Sequence, residues 1–179
     1  MSVKFIPDSD IESKADLLRK QFKMDQAPVD VFTLADLLEI EVFEAEFKDR
    51  DTCGMITKSA ADGAFRIFVN REHGHSRQRY TVAHELGHFI LHKDKFSDPQ
   101  NASLIDSELS MFRFGPDSKG GPDTRRLEIQ ANKFAASLLM PRKLVESAFA
   151  LLGDIQAIAD LFEVSRAAMG FRLSSLDLG

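Results

Sequence analysis

The sequence predicts an α+β fold: a mainly helical single domain of 179 residues, with a small antiparallel three-stranded sheet packed on a central helix and helix-turn-helix-like helices at the C-terminal end. Three observations carry this. The run Arg77 to His92 contains no proline and is apolar nearly all round, through Tyr80, Val82, Ala83, Leu86, Phe89, Ile90 and Leu91, as a buried helix is. Before it lie short stretches rich in β-branched and aromatic residues, and after it apolar residues recur at helical spacing from Thr124 onward.

The elements follow in order. Asp8 or Ser9 can cap a helix running to about Met24, with Ile11, Ala15, Leu18 and Phe22 on one stripe, and a second helix from Val31 to Leu38 follows Pro28. Together, 8–38 reads as a packing lid. The sheet occupies 40–70: Ile40 to Phe47, Cys53 to Lys58 and Ala64 to Asn70, punctuated by Gly54 and by Asp62-Gly63. Ser76 is the expected N-cap of the central helix, 76–92. From 93 to 123 the chain turns polar, and Gly115 to Pro122 reads as a loop of the kind that often borders a site. A helix over 124–140 stops at Pro141, and shorter helices fill 141–179.

Composition narrows the function. Basic residues number 23 against 28 acidic, a net charge of -5, which argues against a surface that holds nucleic acid by its phosphates. Met1 to Asp10 lacks the apolar core of a secretion signal, and no run is long enough to span a bilayer, so a cytoplasmic protein without membrane contact is expected. The single cysteine, Cys53, suits a reducing compartment. It reads as a small strand residue, with a thiolate capping a metal in the resting protein as the lesser alternative.

The chemistry is concentrated in His84-Glu85-Leu86-Gly87-His88. Histidines one helical turn apart project from the same face and can hold one zinc ion. Glu85 sits beside that ion, where a carboxylate can take a proton from a water activated by it. Two histidines and a glutamate can also be bystanders in a buried helix. Burying them without partners, however, costs several kcal/mol that a metal would relieve.

A catalytic site needs a third protein ligand. His92 continues the same row, and three ligands in a straight line cannot surround a tetrahedral ion, so it reads as a helix-end histidine or a group behind a ligand. Asp94 has the spacing of a pattern that turns sharply at a glycine, where this chain has Leu91. His73 and His75 lie in the loop before the helix and read as solvated or substrate-side residues. Glu128 shares a helical face with Asn132 and Ala135, and the alanines at 131, 135 and 136 permit close helix approach. Taken alone, that pattern fits a ligand with Asn132 behind it as well as it fits a solvated first-turn glutamate.

Arg77-Gln78-Arg79-Tyr80-Thr81-Val82-Ala83-His84-Glu85-Leu86-Gly87-His88-Phe89-Ile90-Leu91-His92 resembles the active helix of the ImmA/IrrE family of metallopeptidases. The run Glu128 to Pro141 resembles that family's other hallmark. The N-terminal helices, the strand ending Ile67-Phe68-Val69-Asn70 and the pattern Ala159 to Ser165 extend the likeness to most of the chain. It implies a gluzincin-like site with His84, His88 and Glu128 as zinc ligands and Glu85 as general base. One zinc per chain is expected, although manganese or iron also suits two histidines and a carboxylate. Gln130 departs from the family, which often has a glutamate there, and is expected to act behind the ligands rather than on zinc; the 93–123 stretch matches least.

Under this reading Glu85 receives a proton from water and returns it to the leaving amine. Tyr80, His73, His75 and His92 are candidate donors to the developing oxyanion, and Asn132 is placed behind a ligand. The strand 64–70 is expected to offer an edge to an extended substrate peptide. The resemblance further implies a narrow target, a helix-turn-helix repressor controlling mobile-element or stress-response genes. The rival is a metal-containing DNA-binding regulator, because Asp154 to Leu176 can form two helices around a tight turn. Its would-be recognition helix offers only Arg166 and Arg172, so docking on the core or on a repressor, without direct nucleic-acid binding, is the expectation.

Overall fold

Pro7, extended at φ -59° and ψ 147°, leads into helix α1 (Asp8–Gln21), so the helix starts one residue beyond it rather than after a side-chain cap at Asp8 or Ser9. Asp8 and Asp10 lie in the first turn, where the helix dipole favours acids, and Ile11, Ala15 and Leu18 form the buried stripe. The helix stops at Gln21, short of the expected Met24, and Lys23 turns left-handed at φ 57°. The computed structural model describes residues 4–49, 52–59, 61–94 and 121–178. Positions 95–120 of the expected loop lie outside the described residues.

Asp30 caps α2 (Val31–Leu37) by accepting from the amides of Phe32 and Thr33 at 3.2 and 3.1 Å. Strands β1 (Glu41–Ala45), β2 (Gly54–Lys58) and β3 (Phe65–Asn70) follow, in the spatial order β1-β3-β2. β2 pairs with β3 antiparallel, Ile56 opposite Ile67, as the Asp62-Gly63 turn requires. β1 instead pairs with β3 in parallel, Val42 opposite Ile67, which corrects the expectation of an all-antiparallel sheet. Composition explains the order. β3 carries the buried Ile67 and Val69 and takes the centre, whereas β1, with Glu41 and Glu44 exposed, makes a charged edge that discourages further pairing. The link from β1 to β2 is long enough to cross to the far side of β3. Because β3 is paired on both sides, it has no edge for a substrate, and that expectation is also corrected; the free edges among the described strands belong to β1 and β2.

Helix α3 (His75–His92) begins after Gly74 rather than Ser76, and α4 (Pro122–Leu139) begins at a proline, which lacks only an amide that a first helical turn leaves unbonded anyway. α3 packs chiefly on α4, α4 is covered on another face by α1, and the sheet lies on α3. Leu34, Ile67, Leu86, Phe134, Leu138 and Phe162 are fully enclosed between these layers. Two glycines set the spacing. A Cβ on Gly54 would stand 2.4 Å from the Phe68 carbonyl oxygen and 2.5 Å from Thr81 Cγ2, so this position brings the sheet onto α3. A Cβ on Gly87 would lie 3.1 Å from both Cα and O of Ala131, the point where α3 and α4 cross. Gly87→Val is therefore expected to destabilise the fold by about 1–3 kcal/mol through overpacking, read as a lowered midpoint in urea with an unchanged slope.

Pro141 ends α4 and precedes α5 (Arg142–Leu152), which closes on Gly153 at φ 64°. Asp154 caps α6 (Ile155–Phe162) and Ser165 caps α7 (Arg166–Ser175), each through one side-chain oxygen to an amide three residues on. α6 and α7 pack together around the Glu163–Ser165 turn, the arrangement expected of helix-turn-helix-like helices.

Candidate metal centre

The α3/α4 crossing brings His84, His88 and Glu128 together. The alternation of α3 places His84 and His88 on the face that meets α4, and Glu128 stands on α4 one turn before Asn132. Nε2 of His84 is 3.1 Å from Nε2 of His88; Glu128 Oε2 is 3.2 Å from the former and Oε1 3.2 Å from the latter. Nitrogen and oxygen ligands about 2.0–2.1 Å from a tetrahedral zinc stand roughly 3.3–3.4 Å from one another. The two ring nitrogens and the Glu128 carboxylate, one oxygen toward each histidine, are thus spaced to surround one such ion. Glu128 Oε2 makes no well-formed hydrogen bond despite its contact with His84. Close but unaligned, the two atoms are disposed as ligands that face a third body rather than each other.

Electrostatics point the same way. Burial opposes charge on His84, yet the Glu128 carboxylate prevails and raises its pKa. Burial also opposes charge on Glu128, yet the two histidines hold its carboxyl well below the usual range. The group therefore requires a cation among its members, either a proton or a metal. Glu85 is fully buried beside it, and neither carboxylate oxygen has a hydrogen bond of good geometry. Burial pushes its carboxyl up; His84 and His88 oppose that, and the Ile56 backbone does so least. A carboxylate so poorly satisfied in so enclosed a position is available to exchange a proton with a water or a substrate nitrogen.

The other predicted residues divide. His92 is buried with Nδ1 3.1 Å from His88 Nδ1 and Nε2 2.8 Å from Gln130 Oε1, and burial brings its pKa down to about 4. Asn132 Oδ1 lies 3.0 Å from His84 Nδ1 and accepts from the Tyr80 hydroxyl at 3.3 Å, so it stands behind a histidine rather than behind Glu128. Burial pushes Tyr80 up to about 12, which keeps it a hydroxyl donor. Asp94 is exposed past the end of α3 and does not join the cluster. His75, expected in the loop, is instead the first residue of α3, exposed, 3.8 Å from Glu163 and stacked on Phe32, whereas His73 stays in the preceding turn. Cys53 is buried just before β2 and accepts from Arg77 Nη2 at 3.0 Å, which displaces the thiolate-cap alternative. Beyond Tyr80 and Asn132 the α3/α4 groove opens into a cavity of ≈ 860 Å³ that reaches Met140, Ala168 and Phe171.

Arg79 escaped the sequence reading. It is buried, donates to the carbonyls of Val29 and Phe162 at 3.0 and 3.5 Å and lies 3.3 Å from Glu163, tying α3 to the segment before α2 and to the end of α6. An arginine inside an apolar helix was its signal, because a cation so placed must find carbonyls or acids.

A carboxylate ligand carried by a helix other than the one bearing His-Glu-x-x-His is the arrangement of glutamate-ligand metallopeptidases. The chain belongs to the IrrE N-terminal-like domain family, peptidase M78, whose sequence model matches residues 35–174. It is 26% identical over 148 residues to Metallopeptidase ImmA of Bacillus subtilis (strain 168), covering 82% of this chain and 76% of that protein. A solved structure, a Mycobacterium tuberculosis transcriptional regulator, superposes with a TM-score of 0.61 at 18% identity over 92% of this chain. That likeness establishes the fold, and the present chain spans only 47% of the regulator. No helix among the described residues is long and apolar enough to cross a membrane.

Proposed function

We propose that the protein is a zinc-dependent, site-specific endopeptidase that cuts a helix-turn-helix transcriptional repressor and so derepresses mobile-element or stress-response genes. The observation that carries the hydrolytic half is the buried Glu85 carboxylate, without a well-formed hydrogen bond, beside three converging ligand atoms. His84, His88 and Glu128 would hold the ion, which when bound supplies the Lewis acidity that makes water a nucleophile near neutral pH and polarises a carbonyl. Glu85, its pKa raised by burial, accepts the water proton and gives it to the departing amine. Tyr80, kept protonated and hydrogen-bonded to Asn132 beside His84, is the candidate hydroxyl donor from α3 for a developing oxyanion. The free edge of β2, whose Ile56 backbone faces Glu85, would pair with an extended substrate, and the cavity beyond Tyr80 would take apolar substrate side chains.

The repressor as target rests on the family resemblance. Incubating the zinc-loaded protein with the helix-turn-helix protein encoded by a neighbouring reading frame should give two fragments from a single cut, read by mass spectrometry; scattered cleavage of unrelated proteins would defeat the site-specific reading. For the rival, a DNA-binding regulator, the relevant residue is Arg172. It is buried, donating to the Met140 carbonyl at 2.9 Å and pairing with Glu12 at 2.6 Å, so Arg166 is the arginine α7 has left for base edges. We expect no sequence-specific operator binding in a titration across salt concentrations, and a site-specific complex would restore the rival.

A further inference from the structure

We propose that Gln130 and His92 are positioning residues that fix the tautomer of His88 and thereby turn its Nε2 lone pair toward the ion; the inference rests on the metal-site reading above. Donors and acceptors decide the direction of each bond in the chain. Gln130 donates from Nε2 to the Lys4 carbonyl oxygen at 3.0 Å. A carbonyl can only accept, so this bond sets which way round the amide lies and leaves Oε1 facing His92 Nε2 at 2.8 Å. Oε1 too can only accept, so His92 carries its proton on Nε2.

With Nε2 committed to Gln130, His92 meets His88 through its other ring nitrogen, Nδ1, which lies 3.1 Å from Nδ1 of His88. A hydrogen bond between two ring nitrogens needs one proton, and since His88 turns Nε2 to the ligand cluster, where a metal ligand must be bare, its Nδ1 is the atom that carries it. With its proton on Nδ1, His88 presents an unprotonated Nε2 to His84 and Glu128, the form in which an imidazole binds a metal. The relay therefore begins at a main-chain carbonyl before α1, crosses α4 through Gln130, and ends on a ligand of α3. The Lys4 carbonyl sets the direction at the Gln130 end and the ligand cluster sets it at the His88 end, and the two agree at His92. His84 is supported separately, through Asn132.

A glutamate at 130 would still accept from His92, whereas methionine, of similar shape, would not. Zinc affinity measured by chelator competition should fall by roughly 10–100-fold in Gln130→Met, the usual cost of losing a partner behind a ligand. Gln130→Glu should recover most of it. Long-range proton–nitrogen spectra of the wild-type imidazoles supply a readout that a packing role would not move: His92 protonated on Nε2 and His88 on Nδ1, in the zinc-loaded protein and in the metal-free protein at alkaline pH. Wild-type affinity in Gln130→Met, or a His92 proton on Nδ1, overturns the inference. Failure of the wild-type protein to take up zinc would defeat the metal-site reading instead, and the metal-free spectra would still decide the tautomers. Should Gln130→Met not fold, the wild-type spectra alone decide.

Discussion

Glu85→Gln should leave the protein folded and metal-loaded while lowering peptide hydrolysis by about 10²–10⁴-fold, the range assigned to a positioned general base. The substitution conserves shape in an enclosed position, so packing around Leu86 and Val82 is kept. What it removes is the capacity to hold a proton. The wild-type carboxylate is fully buried without hydrogen bonds of good geometry, an arrangement that costs folding stability. The substituted amide would carry no charge into the same cavity, so the variant is expected to be no less stable than the wild type, and it can be more so. Loss of activity with undiminished stability and zinc content separates a chemical role for Glu85 from a structural one. Unchanged hydrolysis would remove Glu85 from the mechanism, and loss of zinc with loss of activity would make it a contributor to metal binding.

Helix positions and the placing of His84 and His88 on one face of α3 were legible because their signals are local. A proline-free apolar run and two histidines one turn apart fix a helix and a shared face without knowledge of anything distant. Glu128 was not legible in that way. Its local pattern suits a solvated glutamate equally, and only the resemblance of Glu128 to Pro141 to a known hallmark brought it to the site. The sheet was read half correctly for the same reason. Asp62-Gly63 dictates the antiparallel β2/β3 pair, but no local feature says that the link after β1 crosses to place β3 in the centre. Arg79 was missed as a structural residue because its partners, the Val29 and Phe162 carbonyls, are main-chain atoms whose positions exist only in the folded chain; Gln130 was expected behind a ligand, but its bond to the Lys4 carbonyl was hidden for the same reason. Gly87 lay in plain view within the motif, yet its purpose depends on the Ala131 backbone opposite.

Glu128→Ala should lower zinc affinity by more than the ~10–100-fold expected for a partner behind a ligand, because it deletes one of three ligand atoms. Asp94→Ala should leave zinc content unchanged, since Asp94 is exposed and outside the cluster. Full zinc retention by Glu128→Ala would transfer the third position elsewhere. The pH dependence supplies an independent check on the same group. In metal-free protein, the contact with Glu128 raises the His84 pKa above 6.5, so its stabilisation is complete below 6.5 and fades as pH rises through the raised value. Glu128 is depressed from 4.5, so its share is present above 4.5 and is lost as pH falls through the lowered value. Zinc needs His84 unprotonated and competes with that proton. The melting temperature gained on adding zinc should therefore grow as pH rises toward and through the raised His84 value, since the proton that stabilises the metal-free site is leaving while the ion's hold strengthens. In Glu128→Ala His84 loses the carboxylate that raises its pKa, and this pH-dependent gain should shrink toward that of a two-histidine site. A zinc-induced shift that is flat with pH in the wild type would mean that the ion binds somewhere other than among these three residues.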